Sequence, residues 1–199
     1  FNPASVKNDI HIIGVGATGS FVAMELARMG CPVINIYDFD DVEQHNIPNQ
    51  YYDVNDIGKD KVVALEAKLK LINPDITVNI STEKVTAEDM SKMSGYVFLL
   101  VDSMKVRKEL WEAAKTNTNI INVWESRLGS DQARVYSLPI EKGKDYSKYE
   151  QDFYDDDNAE MSACGTSITV LPIVLQTSAL MMVQFIDLVM DNPVIPHFK

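Results

Sequence analysis

The sequence predicts an α/β fold: a Rossmann-like, doubly wound, mainly parallel sheet with helices on both faces and a long mobile crossover loop before the last helix. Three observations predict it. Short apolar runs alternate with amphipathic stretches along most of the 199 residues, the pattern of strands joined by crossover helices. One run, Tyr96 to Val101 (YVFLLV), is apolar without a break, as a central parallel strand buried on both faces must be. A glycine-rich stretch, Gly14-Val15-Gly16-Ala17-Thr18-Gly19, stands between a strand pattern and a helix pattern.

Taken in order, Asp9 to Val15 (DIHIIGV) reads as the first buried strand. Ala17 to Met29 carries Phe21, Met24, Leu26 and Ala27 at helical spacing, and Gly30 supplies a stop. Pro32 to Tyr37 is a second strand, and Asp38 to Ile57 is polar without helical period. Lys61 to Ile72 is amphipathic, with Leu65, Leu69 and Ile72 on one stripe, and Asn73-Pro74 ends it. Ile76 to Ile80 is a third strand, Thr86 to Met93 a short helix, Tyr96 to Val101 the fourth strand, Ser103 to Thr116 a helix, and Asn119 to Trp124 the fifth strand. Gln132 to Leu138 alternates and adds an antiparallel strand. Glu141 to Met161, rich in Asp, Lys, Tyr and Gly, reads as the mobile loop. Ser167 to Met190 is the most apolar helix, broken or kinked near Pro172. No internal repeat or second domain is visible, so residues 1–199 read as one domain. The start at Phe1-Asn2-Pro3 rather than Met allows for residues upstream.

The totals narrow the function classes. A net charge of -11 disfavours a general nucleic-acid binder, which needs a basic surface to release counterions. Hydrophobic residues reach 46%, yet no stretch reads as a membrane span or secretory signal, so a cytoplasmic location with no membrane partner is expected. The two cysteines, Cys31 and Cys164, are too few for a four-cysteine zinc site or a disulfide framework.

The GxGxxG stretch predicts nucleotide binding. Its first glycine permits the tight turn, its second lets the backbone approach a phosphate, and its third lets helix and strand pack closely. Ala17 and Thr18 open a helix whose free amides and partial positive charge face an anion. Asp38 ends the second strand, where a carboxylate accepts hydrogen bonds from ribose hydroxyls. NAD and ATP both carry that ribose, so Asp38 does not choose between them.

The segment after it does more. Asp38-Phe39-Asp40-Asp41-Val42-Glu43-Gln44-His45-Asn46-Ile47-Pro48-Asn49-Gln50, followed by Gly58-Lys59-Asp60-Lys61, resembles the ribose-to-phosphate segment of the ThiF/MoeB/HesA family, which includes the adenylation domain of ubiquitin-activating enzymes. The resemblance spans Asp9 to Asp102. It implies a nucleotide turn of Gly14, Gly16 and Gly19, a ribose acid at Asp38, loop organisation by Asp40, phosphate contacts from Asn46, Gln50 and Lys61, and Mg²⁺ on Asp102. It also implies a homodimer; the apolar last helix, with Leu180, Met181, Met182, Phe185 and Ile186, reads either as core or as the surface for that contact. The family's arginine in Asn-Leu-x-Arg-Gln, which neutralises phosphate charge across a dimer, is Asn49 here. Asn49 donates hydrogen bonds but carries no charge. Of the chain's arginines, Arg28, Arg107, Arg127 and Arg134, Arg127 follows the fifth strand and is the one expected to face the site.

The resemblance implies an ATP- and Mg²⁺-dependent adenylyltransferase acting on the C-terminal carboxylate of a ubiquitin-like or sulfur-carrier protein, without zinc. Lys61 and Asp102 would be its catalytic groups. Cys164, after the loop and before the last helix, is the one candidate thioester or persulfide nucleophile. The acidic run Asp152, Asp155, Asp156, Asp157 and Glu160 would be a solvated segment that guides the partner's tail. Two other readings stay open: an NAD(P)-dependent oxidoreductase, which leaves Asn46, Gln50, Lys61 and Asp102 without a task, and a catalytically idle partner-binding subunit, which Asn49 motivates.

Overall fold

The computed structural model of the protein describes residues 1–129, 132–154, 170–193 and 197–198. Five parallel strands form its centre: β1 (Ile10–Ile13), β2 (Val33–Tyr37), β3 (Thr77–Ser81), β4 (Gly95–Leu99) and β5 (Ile120–Leu128). β6 (Ala133–Pro139) returns antiparallel to β5, and the two-residue β7 (His197–Phe198) pairs antiparallel with β6. The sheet order is β3-β2-β1-β4-β5-β6-β7. The chain therefore steps outward from β1 to β3, then crosses back to β4 beside β1. That reversal opens a crevice at the carboxyl ends of β1 and β4.

The helices are α1 (Ala17–Arg28), α2 (Lys61–Ile72), α3 (Ala87–Lys92), α4 (Met104–Ala114), α5 (Ser147–Glu150) and α6 (Leu171–Val189). Both sheet faces are covered. On one, Ile10, Ile12, Ile34 and Ile36 pack with Val22 and Leu26 of α1, Leu65 and Leu69 of α2, and Met181 and Phe185 of α6. On the other, Ile13, Val97 and Leu99 pack with Met90 of α3, Leu110 and Trp111 of α4, and Tyr149 of α5. Strands buried on both sides are mostly apolar, which is why β1, apart from His11, and β4 read as near-continuous runs rather than alternating ones. α1 ends as its glycine predicts: Gly30 takes φ 81°, and Gly30 N and Cys31 N donate to the Ala27 and Leu26 carbonyls, a paired closure that needs a residue at ease with positive φ.

The structure departs from the sequence reading at four places. β5 runs on past Trp124 to Leu128, because the polar Glu125 and Ser126 remain paired with β6. α6 begins at Leu171, so Pro172 opens the helix instead of kinking it. Proline is tolerated there because first-turn amides have no intrahelical acceptor. The stretch expected to be a mobile loop from Glu141 is packed as far as Tyr154. It contains α5, whose Tyr149 is 4% exposed, and the Tyr146 hydroxyl donates to the Pro139 carbonyl at 2.8 Å. Residues 155–169, which carry Asp155, Asp156, Asp157, Glu160 and Cys164, lie outside the described residues. Lastly, α6 is long and apolar enough to cross a membrane by length and composition. Its buried row, including Val174, Met181, Met182 and Phe185, is core. Phe185 sits among Tyr96, Phe98 and Trp124 with ring centroids 5.3, 6.0 and 5.8 Å away, so Met181, Met182 and Phe185 are not a free surface.

Candidate active site

The glycine turn closes the gap between β1 and α1. Gly14 N donates to the Tyr37 carbonyl at 2.8 Å, which ties the turn to the end of β2. Gly14 has φ 90°, and a Cβ there would stand 2.7 Å from the Leu100 carbonyl oxygen. At Gly19 a Cβ would stand 2.0 Å from the Gly14 carbonyl oxygen. Both positions thus exclude a side chain for packing reasons. Gly16 differs: its Cβ would meet only the Gln50 side-chain nitrogen, at 3.9 Å. Gly16 caps α1 with no side-chain hydrogen bond, so the first-turn amides are left for another acceptor, the arrangement that suits a phosphate. The Thr18 hydroxyl is buried against Ser126 Oγ at 3.4 Å; what Ala17 and Thr18 offer an anion is backbone N–H.

A hydrogen-bonded chain runs from this turn to the start of α2. Val15 N donates to Asp38 Oδ2 at 2.8 Å, and Asp40 N donates to Asp38 Oδ1 at 3.0 Å. Lys61 Nζ donates to Asp40 Oδ2 at 2.9 Å, and Lys61 N to the Asp40 carbonyl. Burial raises the Asp38 pKa above the usual aspartate value, opposed by the Lys61 charge and the two amides. Lys61 is only 7% exposed. A buried ammonium is costly unless paired, so this lysine is not an ordinary solvated helix residue. Asp40 both holds it and is half-exposed, leaving the pair open to a competing anion.

The loop after Asp40 folds back over the turn. Asn46 is buried, and its side-chain oxygen accepts from Glu43 N at 2.8 Å in a reciprocal cap of the short 3-10 helix Gln44–Asn46. Its oxygen is therefore used locally, in the cap. Asn49 N and Gln50 N donate to the Asn46 carbonyl. Gln50 Oε1 is buried without a hydrogen-bond partner among the described residues, and its Nε2 points toward Gly16. Two residues that the sequence reading did not single out complete the loop's grip. Tyr51 N donates to Ser20 Oγ at 3.0 Å, and the buried Tyr52 hydroxyl donates to the Val15 carbonyl at 2.8 Å. Only their place directly after Gln50 could have flagged them.

Asp102 follows β4, two residues beyond Leu100, whose carbonyl touches Gly14. It is exposed, and the cap of α4 is Ser103, which accepts from Val106 N. Asp102 is thus not spent on capping. No cluster of three metal-ligating side chains exists among the described residues. A single exposed carboxylate still fits Mg²⁺, which is commonly held by one or two carboxylates together with substrate phosphates. The expectation that Arg127 faces the site is corrected. Its guanidinium bonds Glu125 and the Asp152 carbonyl and lies 5.0, 5.2 and 5.1 Å from the ring centres of Tyr136, Tyr149 and Phe153. Its side chain is 8% exposed, enclosed by aromatic faces that a cation favours. Arg134 pairs with Asp152, and Arg28 contacts Met24. Cys31 is buried, and burial pushes its thiol up to about 12, as befits a structural residue.

The model of the ThiF family matches residues 6–197. The chain belongs to the ThiF family. This ThiF chain is 31% identical over 139 residues to the tRNA threonylcarbamoyladenosine dehydratase of Haemophilus influenzae, a stretch covering 67% of this chain and 53% of the relative. It is 35% identical over 80 residues to ubiquitin-like modifier-activating enzyme 5 of Drosophila erecta, covering 40% and 20% respectively. The chain thus spans about half the length, or less, of these curated relatives. The fold matches that of MccB, the microcin C7 biosynthetic enzyme, in complex with N-formylated MccA, with TM-score 0.82 at 16% identity over 96% of this chain and 60% of that one. PaaA superposes with TM-score 0.74 at 20% identity over 98% of this chain and 60% of that one.

Proposed function

We propose that this ThiF chain is an ATP-dependent adenylyltransferase that activates the C-terminal carboxylate of a ubiquitin-like or sulfur-carrier protein. One observation carries the reading: a buried lysine joined through Asp40 and Asp38 to the glycine turn. The glycine turn and the ribose acid of an NAD-binding site do not by themselves require that cation. A reaction between two anions does, because bringing a carboxylate onto the α-phosphorus is mainly a matter of neutralising and orienting charge. In the reading, the substrate carboxylate oxygen bonds to the α-phosphorus of ATP and pyrophosphate leaves. The first-turn amides of α1 and the Gln50 amide hold phosphate oxygens. Asp38 receives the ribose hydroxyls, and Lys61 exchanges Asp40 for a phosphate oxygen. Mg²⁺, when bound at Asp102, would draw negative charge from the phosphates. Similarity to ubiquitin-like modifier-activating enzyme 5 supports a protein tail as substrate. The Haemophilus relative instead acts on a tRNA nucleoside, as its name states. A net charge of -11 weighs against a polyanionic partner here.

ATP–pyrophosphate exchange in the presence of candidate carrier proteins tests the reading. Exchange should appear with the cognate carrier and fall at least about a hundredfold in Lys61→Ala, the scale of losing one transition-state charge contact. Tight ATP–Mg²⁺ binding without exchange for any carrier would favour the idle, partner-binding reading that Asn49 motivates. Binding of NAD⁺ in preference to ATP–Mg²⁺ in calorimetry would overturn adenylation.

A further inference from the structure

Beyond Leu99 the pairing of β4 with β5 stops, and Asp102 leaves the sheet on a free strand end. The carbonyls of the two parting strands are bridged by one side chain from α4. Arg107 donates through Nη2 to the Val101 carbonyl and through Nη1 to the Ser126 carbonyl, the latter at 2.8 Å. Val101 is the residue directly before Asp102, while Ser126 touches Thr18 in the glycine motif. Arg107 therefore ties the tips of β4 and β5 together on one side of the nucleotide turn.

Arg107 is held in turn. Its Nη1 also bonds Glu125, which is 0% exposed. Glu125 accepts further hydrogen bonds from Arg127 Nε, at 2.8 Å, and from the Tyr149 hydroxyl. A buried carboxylate with three donors is fixed in place, and two guanidiniums on it satisfy a charge that would otherwise be costly to bury. Nothing in this set touches the proposed ATP contacts Gly16, Gln50 or Lys61 through a described hydrogen bond. Among the described residues it reaches the site by two links, the Val101–Asp102 peptide and the Ser126–Thr18 contact.

We infer that Arg107, anchored by Glu125, is a positioning residue that sets where the Asp102 carboxylate would hold a divalent cation beside the glycine turn. The inference rests on the reading of Asp102 as the Mg²⁺ ligand. It assigns a function to a buried ion-pair group that would otherwise be only structural, and it predicts an effect confined to the metal.

The measurement is the affinity of the full chain for ATP by calorimetry, with Mg²⁺ and with EDTA, expressed as the ratio of the two. Wild type should bind more tightly with Mg²⁺. Arg107→Met should shrink the ratio about tenfold, the usual scale for losing a group that orients a metal ligand, while the EDTA affinity stays within about twofold of wild type. Arg107→Lys, which keeps the charge but cannot reach both carbonyls and Glu125 together, should fall between. If Arg107→Met does not fold, Arg107→Lys and Glu125→Gln make the same test. An unchanged ratio in folded variants would overturn the inference, and so would equal losses with and without metal, which would mark Arg107 as structural alone. Asp102→Asn separates the two readings. If it abolishes the Mg²⁺ effect while the Arg107 variants keep it, the metal reading stands and the positioning inference falls. If Asp102→Asn leaves the Mg²⁺ effect intact, or wild type shows none, the metal reading falls and takes the inference with it.

Discussion

Tyr52 reaches the glycine turn from outside the motif. Its hydroxyl fixes the Val15 carbonyl while Asp38 fixes the Val15 amide, so both sides of the residue between Gly14 and Gly16 are pinned. Burial, with Asp38 and Asp56 nearby, pushes its pKa far up, and Tyr52 stays a donor at any working pH. Tyr52→Phe removes the donor and leaves a buried carbonyl unpaired, a loss of about 1–3 kcal/mol. ATP–Mg²⁺ binding should weaken by about fivefold or more and the thermal midpoint should drop, as calorimetry of both would read; an unchanged Kd would mean that the turn keeps its shape without Tyr52. At this scale the sequence is legible where chemistry sits in a local pattern. Gly14, Gly16, Gly19, Asp38, Asp40 and Lys61 lie within one ordered stretch, and the structure joins them. Tyr52, Arg107 and Glu125 are illegible, because their partners are 37, 6 and 18 residues away and meet only once the sheet is formed. Arg127 misled for the same reason: its position after a strand suggests the site, whereas the aromatic rings that enclose it come from β6 and the α5 region.

Among the elements, the central strands β1 and β4 were readable because burial on both faces makes them nearly all apolar, and the helices because their stripes and stops are local. The exception inside β1 is His11, which lies 8% exposed on the α3 side with Nδ1 3.0 Å from the Tyr37 hydroxyl. Burial lowers its pKa below 6.5, against the opposing pull of Asp9 and the Ser94 backbone. The unfolded chain therefore binds this proton at a higher pH than the folded one does. In the window below pH 6.5 the unfolded state holds more protons, so stability rises with pH there and is lost as pH falls. Urea midpoints taken at pH 7.5 and 5.5 should fall for wild type, and fall less for His11→Asn. Equal losses in both proteins would place the acid sensitivity elsewhere. The extent of β5 and the existence of α5 were hidden for a different reason. Glu125 and Tyr149 look like strand-end and loop residues until each becomes the other's buried partner.

For the molecule as a whole, α6 presents an apolar outer side. Its core row is spoken for, yet Leu175, Ala179 and Val183 recur at four-residue spacing and are exposed, with Val170 and Met190 exposed near the ends. We expect this row to be where two copies meet. Light scattering should then report about twice the 22.3 kDa chain mass, and Val183→Glu should weaken association about tenfold or more, since it sets a charge into an apolar contact. Two chains of charge -11 repel each other, so added salt should tighten the dimer by screening that repulsion; a polar, charge-matched interface would loosen instead. The composition of the site adds a consequence. With Asn49 where the family carries its dimer-crossing arginine, no cation at that position reaches a neighbour's phosphates, and the Val183→Glu monomer should bind ATP–Mg²⁺ as tightly as the dimer does. Loss of nucleotide affinity on dissociation would show that a partner copy supplies the missing charge from some other residue, and Asn49 would then be a relocation of that charge instead of its loss.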